Sequence, residues 1–133
     1  ADQVQRWRRS FDTPPPPVES GDERHPRHDP LYEKLDPALW PASESRQDTR
    51  DRVRVCWGES IAPERMAGHN VLVAAHGISL RSIVNLVDGL TEEETADFGI
   101  PTAAPLVYEL DADLAPLSRR FLEPSTDADR NRA

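Results

Sequence analysis

Val71-Leu72-Val73-Ala74-Ala75-His76-Gly77-Ile78-Ser79-Leu80 is the stretch that decides the fold. Five apolar residues in a row, without alternation, predict a strand buried on both faces of a parallel sheet. Past Gly77 the period changes: Leu80, Ile83, Val84 and Val87 recur at helical spacing, and Gly89 ends the helix. A strand that turns sharply into a helix is the building unit of open α/β sheets, which bind ligands outside the carboxyl ends of their strands. The free amides opening such a helix favour an anion. Gly77 lets a ligand come close to the backbone, and His76, at the sheet edge, can donate a hydrogen bond or a proton. The same residues also accommodate a structural histidine followed by an ordinary turn, so the local pattern leaves both roles open.

Toward the C-terminus, Thr91-Glu92-Glu93-Glu94 is a capping box that opens a short helix to about Phe98. Its three glutamates complement the helix dipole as a solvated helix start. Leu106-Val107-Tyr108-Glu109-Leu110, the turn residues Asp111 and Asp113, and residues 116–122 predict a hairpin. The polar residues 123–133 predict a disordered tail. Toward the N-terminus, Ser43 or Ser45 caps a helix running to about Met66, with Gly68 just past its end. Val53, Trp57 and Ile61 form its apolar stripe, which meets Arg50 and Arg46 when extended backwards. Trp57 and Tyr108 are read as packing residues, and Cys56 as buried and inert. Residues 1–11 place Val4, Trp7 and Phe11 at helical spacing until Pro14-Pro15-Pro16-Pro17 stops the helix. From there to Pro41 runs a long polar, Pro-rich excursion of the kind that is functional or disordered. Tyr32, Leu35, Leu39 and Trp40 indicate that its second half packs onto something.

Composition narrows the function classes. The chain has 133 residues, of which 37% are hydrophobic and 13 are prolines, so a core is expected for only part of it. No apolar run approaches the length of a membrane span, and the N-terminus has no apolar signal region. It does not begin with Met and opens in helical pattern, which is expected of part of a longer protein. The single Cys56 excludes an internal disulfide and a multi-cysteine zinc site, and fits the cytoplasm. Eight acids and no base lie between Ser82 and Leu117, while the other 97 residues balance at 16 basic and 16 acidic. That distribution argues against nucleic acid as a partner. His25, His28 and His69 have no second ligand at metal-binding spacing, so no metal is expected. Arg8-Arg9 at a helix end suits bidentate recognition of phosphate or carboxylate, or stands as a solvated pair. Neither a Gly-rich phosphate loop nor a nucleophile elbow occurs, so the chain shows no obvious nucleophile.

Trp7-Arg8-Arg9-Ser10-Phe11-Asp12 before four prolines, Val71 to Gly77 with Ser79-Leu80-Arg81, and Gly99-Ile100-Pro101-Thr102 ahead of Leu106 to Leu110 resemble the cofactor-dependent phosphoglycerate mutases of the histidine phosphatase superfamily. The resemblance covers residues 1–122, with the excursion at 13–42. It implies part of a three-layer α/β histidine-phosphatase fold: a sheet with flanking helices, a C-terminal hairpin, and a phosphate pocket at the strand ends. It further implies an isomerase of glycolysis and gluconeogenesis that interconverts 2-phosphoglycerate and 3-phosphoglycerate through a phosphohistidine. Priming by 2,3-bisphosphoglycerate, no metal, a small phosphorylated substrate, the cytoplasm, and a homo-oligomer when complete follow from the same likeness. His76 matches the second family histidine, which stabilises charge developing on the phosphoryl group in transfer. Arg8 and Arg9 match the pair that holds the substrate's anionic groups, and Gly77 and Ile78 match a Gly-Asn pair that contacts it partly through backbone.

The chain departs from that family at Ile78, which replaces Asn, at Arg46, Arg50 and Arg54, where the family is apolar, and at Val55, where it usually has Pro. The phosphoryl-carrying histidine of an Arg-His-Gly motif and the proton-carrying glutamate belong to the family's N-terminal half, and have no counterpart here. The chain alone is therefore expected to lack turnover and to fold poorly, because the strand at 71–75 lacks its neighbour. A non-catalytic anion-binding or interaction module built on the same residues is an alternative reading. A broader histidine phosphatase is another, against which the Pro-rich excursion argues.

Overall fold

A computed structural model describes residues 2–40 and 43–122; the tail expected at 123–133 lies outside these. The chain divides into two units, residues 1–52 and 53–133. Among the described residues, no helix is long and apolar enough to cross a membrane.

The first unit opens with α1 (Asp2–Arg9), as its apolar spacing predicts. Past it, the Ser10 hydroxyl donates to Asp12 at 2.9 Å and accepts the Thr13 amide at 3.1 Å. The four prolines that follow cannot donate, so the helix goes no further. The excursion is neither structureless nor packed. Three single 3₁₀ turns, Pro26–His28, Pro30–Tyr32 and Pro37–Leu39, each start at a proline whose predecessor accepts the amide two residues on. His25, Asp29 and Asp36 are those predecessors. Short turns point successive apolar side chains in different directions, so Tyr32, Leu35 and Leu39 stay exposed, contrary to the packing expected of them. Only Trp40 is half-buried, edge-on to buried His25 with ring centroids 6.1 Å apart.

Helix α2 (Arg46–Cys56) starts where the sequence places it. Buried Ser45 takes the Asp48 amide at 3.1 Å, and the Asp48 carboxylate returns to the Ser45 amide at 2.9 Å. The Phe11 carbonyl takes a further first-turn amide, that of Gln47, at 2.9 Å. The arginines that interrupt the apolar stripe are accommodated: the Arg50 guanidinium lies 4.7 Å from the centroid of the Phe11 ring, and Arg46 is half-buried; Arg54, off the stripe, is exposed. Stacking on an aromatic face satisfies a guanidinium without burying its charge unpaired.

In the second unit, Val53 is buried and the helical path passes through a wide π turn, Trp57–Ile61, into α3 (Ala62–Met66). Pro63 explains the widening, because it has no amide to offer and its ring crowds the carbonyl four residues back. The Ala62 amide reaches back five residues to Trp57. Gly68, at φ +87°, closes the helix as expected. Cys56 is exposed, not buried, as are Arg54 and Val55 before it.

Residues 71–75 do not form the expected strand. A strand exists only by pairing, and no other segment among the described residues pairs with this one. Beyond it the reading holds. Helix α4 (Gly77–Asp88) ends at Gly89 with φ +64°, and α5 (Glu92–Asp97) opens on the Thr91–Glu94 capping box. Strands β1 (Leu106–Leu110) and β2 (Pro116–Phe121) form an antiparallel hairpin, with Tyr108 opposite Arg119 and a bulge between Glu109 and Leu110. Helices with a C-terminal hairpin are the parts of the α/β fold that this chain forms. Polar contacts hold them together. Asn85 donates to the Leu90 carbonyl at 2.6 Å and to the buried Thr95 hydroxyl at 2.9 Å, and Arg81 donates to the Phe98 carbonyl at 2.7 Å.

Candidate functional site

Of the five residues singled out by sequence, three meet at the start of α4. His76 is its N-cap, with φ −66° and ψ 148°, and the Leu80 amide is the first to find a helical partner, the His76 carbonyl at 3.0 Å. The Ile78 amide donates to His76 Nδ1 at 3.4 Å. Amides of Gly77 and Ser79 have no backbone partner among the described residues. An amide cluster of this kind carries partial positive charge and points it out of the helix end. Nothing lies within 4 Å of the place a Cβ would take at Gly77, so the backbone there is open to an approaching group.

The cap also fixes the chemistry of the ring. With Nδ1 accepting from the backbone, a neutral His76 carries its proton on Nε2 and keeps a donor available. His76 is itself exposed, so that donor is reachable. The Ile78 side chain, 38% exposed, contributes no polar atom, and its amide is engaged by His76 Nδ1. Together, a donor on Nε2, two unshared amides and an open backbone fit the oxygens of a phosphate group.

Arg8 and Arg9 form the last turn of α1, and the structure describes their backbone alone. They belong to the first unit, and His76, Gly77 and Ile78 to the second.

One cluster escaped the sequence reading. At the other end of α4, the Tyr108 hydroxyl donates to Asp88 at 2.9 Å, and Arg119 pairs with the same carboxylate. The Arg119 guanidinium also lies 4.9 Å from the centroid of the Phe98 ring, which stacks on Phe121. Burial, supported by the Asp88 charge and opposed by Arg119, pushes the Tyr108 hydroxyl up to about 12. Its members are 20 and 31 residues apart, so only the hairpin register brings them together. Asp88 stands eleven residues along α4 from Gly77, roughly 16 Å down the axis, so this cluster holds the hairpin to the helix and takes no part in the site at His76. Among the described residues no group of three or more His, Cys, Asp or Glu is placed to hold a metal ion.

Comparison with known proteins adds an independent line. A family model described as histidine phosphatase superfamily (branch 1) matches residues 18–120. A protein of Nitratidesulfovibrio vulgaris strain Hildenborough named 2,3-bisphosphoglycerate-dependent phosphoglycerate mutase is 49% identical over 133 residues, covering 99% of this chain and 53% of its own. Its counterpart in strain DP4 matches to the same extent. The protein of that name in strain Miyazaki F is 51% identical over 121 residues, covering 91% of this chain and 49% of its own. The chain thus spans about half the length of the curated relatives it matches.

Proposed function

Because the chain belongs to the histidine phosphatase superfamily, branch 1, we propose that it is the substrate-holding part of a phosphoglycerate mutase that interconverts 2-phosphoglycerate and 3-phosphoglycerate through a phosphohistidine. The observation that carries this reading is the 49% identity, across 99% of the chain, to a protein named as a 2,3-bisphosphoglycerate-dependent phosphoglycerate mutase. In that reaction 2,3-bisphosphoglycerate, when bound, supplies the phosphoryl group that primes the enzyme. His76 donates from Nε2 to a phosphoryl oxygen and balances the charge that builds there during transfer, a stabilisation that matters most where it is aimed before the reaction starts. Gly77 and Ile78 contact the same group through backbone, the Gly77 amide being the unshared one, and Arg8 and Arg9 hold the anionic ends of the substrate. The phosphoryl-accepting histidine lies outside this sequence, so the chain alone binds substrate without turning it over. Cytoplasmic location and assembly into a homo-oligomer belong to the same proposal for the complete protein.

Titration of the chain with 3-phosphoglycerate, followed through the ring protons of His76 and by calorimetry, tests it. Saturable binding that shifts the His76 resonances and is lost in Arg9→Ala is expected, with no mutase turnover. Failure to bind 3-phosphoglycerate while binding other phosphomonoesters would move the reading to a broader phosphatase. Ile78, with no side-chain donor, favours one further possibility, a non-catalytic anion-binding module. That reading requires full affinity and no activity even when the missing portion is supplied.

A further inference from the structure

Pro14-Pro15-Pro16-Pro17 stops α1, and that role leaves the run's own surface unused. Each ring fixes φ near −65°, and each proline keeps the residue before it extended. The run is therefore held as a polyproline II helix, with three residues per turn and a rise of about 3.1 Å per residue. All four prolines are exposed. The Ser43 hydroxyl donates to the Pro15 carbonyl, and the carbonyls of Pro14, Pro16 and Pro17 have no partner among the described residues. A stiff apolar rod with open acceptors is the surface that aromatic-lined grooves take. Pro14 and Pro17 lie one turn apart on the same edge, about 9 Å along the axis. Charge decides which groove. From Ser10 to Glu23 there are four acids, Asp12, Glu19, Asp22 and Glu23, and no base. Asp22 is paired with Arg24, whereas Asp12, Glu19 and Glu23 are exposed. The hydroxyls of Ser10 and Thr13 hold the Asp12 carboxyl below the usual carboxylate range, so its charge persists.

We propose that residues 12–19 are a docking segment for a proline-recognition domain whose groove is lined by Tyr and Trp and rimmed by Lys and Arg. Pro14 and Pro17 fill the slots between the aromatic rings, where their methylenes leave water. Tyr O–H and Trp N–H groups of the partner donate to the open carbonyls. Asp12 and Glu19, one at each end of the run, meet the basic rim, and an acidic rim would set like charges against both. Docking costs little ordering, because the segment is already stiff before it binds. A second copy of this chain suits the segment less, since each carries a net charge of −8. His76, Gly77, Ile78, Arg8 and Arg9 take no part, so the docking segment and the phosphate site stand or fall separately.

The test titrates the whole 133-residue chain with two isolated probe domains, an EVH1 domain with a basic groove rim and an SH3 domain with an acidic one. Calorimetry gives the affinities, and carbon resonances of the prolines locate the contact. Saturable binding to the EVH1 domain is expected, with shifts centred on residues 12–19 and affinity about tenfold or more above that for the SH3 domain. Pro14→Ala and Pro17→Ala each remove two ring methylenes from a slot and should each weaken binding by about tenfold or more. Pro15→Ala loosens the run equally but lies off that edge, and should cost about threefold or less. Glu19→Lys should weaken EVH1 binding by about threefold or more. Because these side chains are exposed, hairpin resonances should stay unchanged in every variant, which separates lost docking from lost folding. Absence of EVH1 binding overturns the proposal, and so does tighter binding to the SH3 domain. Equal losses in Pro14→Ala and Pro15→Ala also overturn it, because the ordered edge is then not what is recognised. Shifts at residues 14–17 that grow with the concentration of the chain alone overturn it in favour of a second copy.

Discussion

Replacing Asp88 separates two contributions that the structure overlays on one carboxylate. The Asp88 side chain is 11% exposed, accepts the Tyr108 hydroxyl at 2.9 Å and pairs with Arg119, whose side chain is 43% exposed. In Asp88→Ala the half-buried hydroxyl loses its acceptor, at a cost of about 1–3 kcal/mol. The half-exposed ion pair adds about 0–1 kcal/mol. Asp88→Asn keeps a carbonyl oxygen for Tyr108 and loses only the charge, so it should cost about 1 kcal/mol, against about 2–3 kcal/mol for Ala. Urea unfolding gives the totals, and exchange of the β1 and β2 amides shows whether the loss is local to the hairpin. In a Tyr108→Phe background the Ala substitution should fall to the cost of the ion pair, a coupling of about 1–2 kcal/mol. If Asn and Ala cost the same, or the coupling stays below about 0.3 kcal/mol, the hydrogen bond is not what fastens the hairpin to α4.

The same cluster predicts an alkaline limit. Burial raises Tyr108 to about 12, above the free value of about 10. Its contribution is therefore complete below pH about 10 and disappears as the pH rises toward 12. Tyr108→Phe should remove this part of the pH dependence of hairpin exchange. At the acid end, the Thr91 amide and hydroxyl hold the Glu94 carboxyl below the usual carboxylate range. That contribution is present above the ordinary carboxylate pKa and is lost as the pH falls through the lowered one. Protection of the α5 amides should thus decline in acid, and Thr91→Ala should lower it at neutral pH by about 1 kcal/mol.

What the sequence made legible was mostly local chemistry. Ser45 and Thr91 as caps, Gly68 and Gly89 as helix stops, and Asp111 at the hairpin turn each act within a few residues, so their signals lie in neighbouring letters. His76 at a helix opening was legible for the same reason, and the position of its proton was not, because that depends on which ring nitrogen the backbone engages. Burial was misread wherever it depended on a partner. Cys56 and Leu39 are apolar in kind and exposed in fact, because no surface among the described residues covers them. The run at 71–75 is the sharpest case: its composition specifies a sheet, and a sheet needs a neighbour that no pattern inside this run can supply. Arg50 shows the converse, a charged residue on the apolar line that finds the face of Phe11, 39 positions upstream.

The wide turn at Trp57–Ile61 carries a consequence for how this segment tolerates change. A π turn is an α-helix that has absorbed one extra residue, and each residue rotates the helix by about 100°. Val53, Trp57 and Ala62 therefore keep one inward line although their spacing is four and then five, and Ala62 is buried where Ile61 is only half so. Loss of a single codon around Gly58 would convert the turn to ordinary helix and leave that line intact. Elsewhere in the helix the same deletion would swing every following side chain off the core. Length variation among related genes has here a place where it costs little, one residue wide and marked in advance by Pro63.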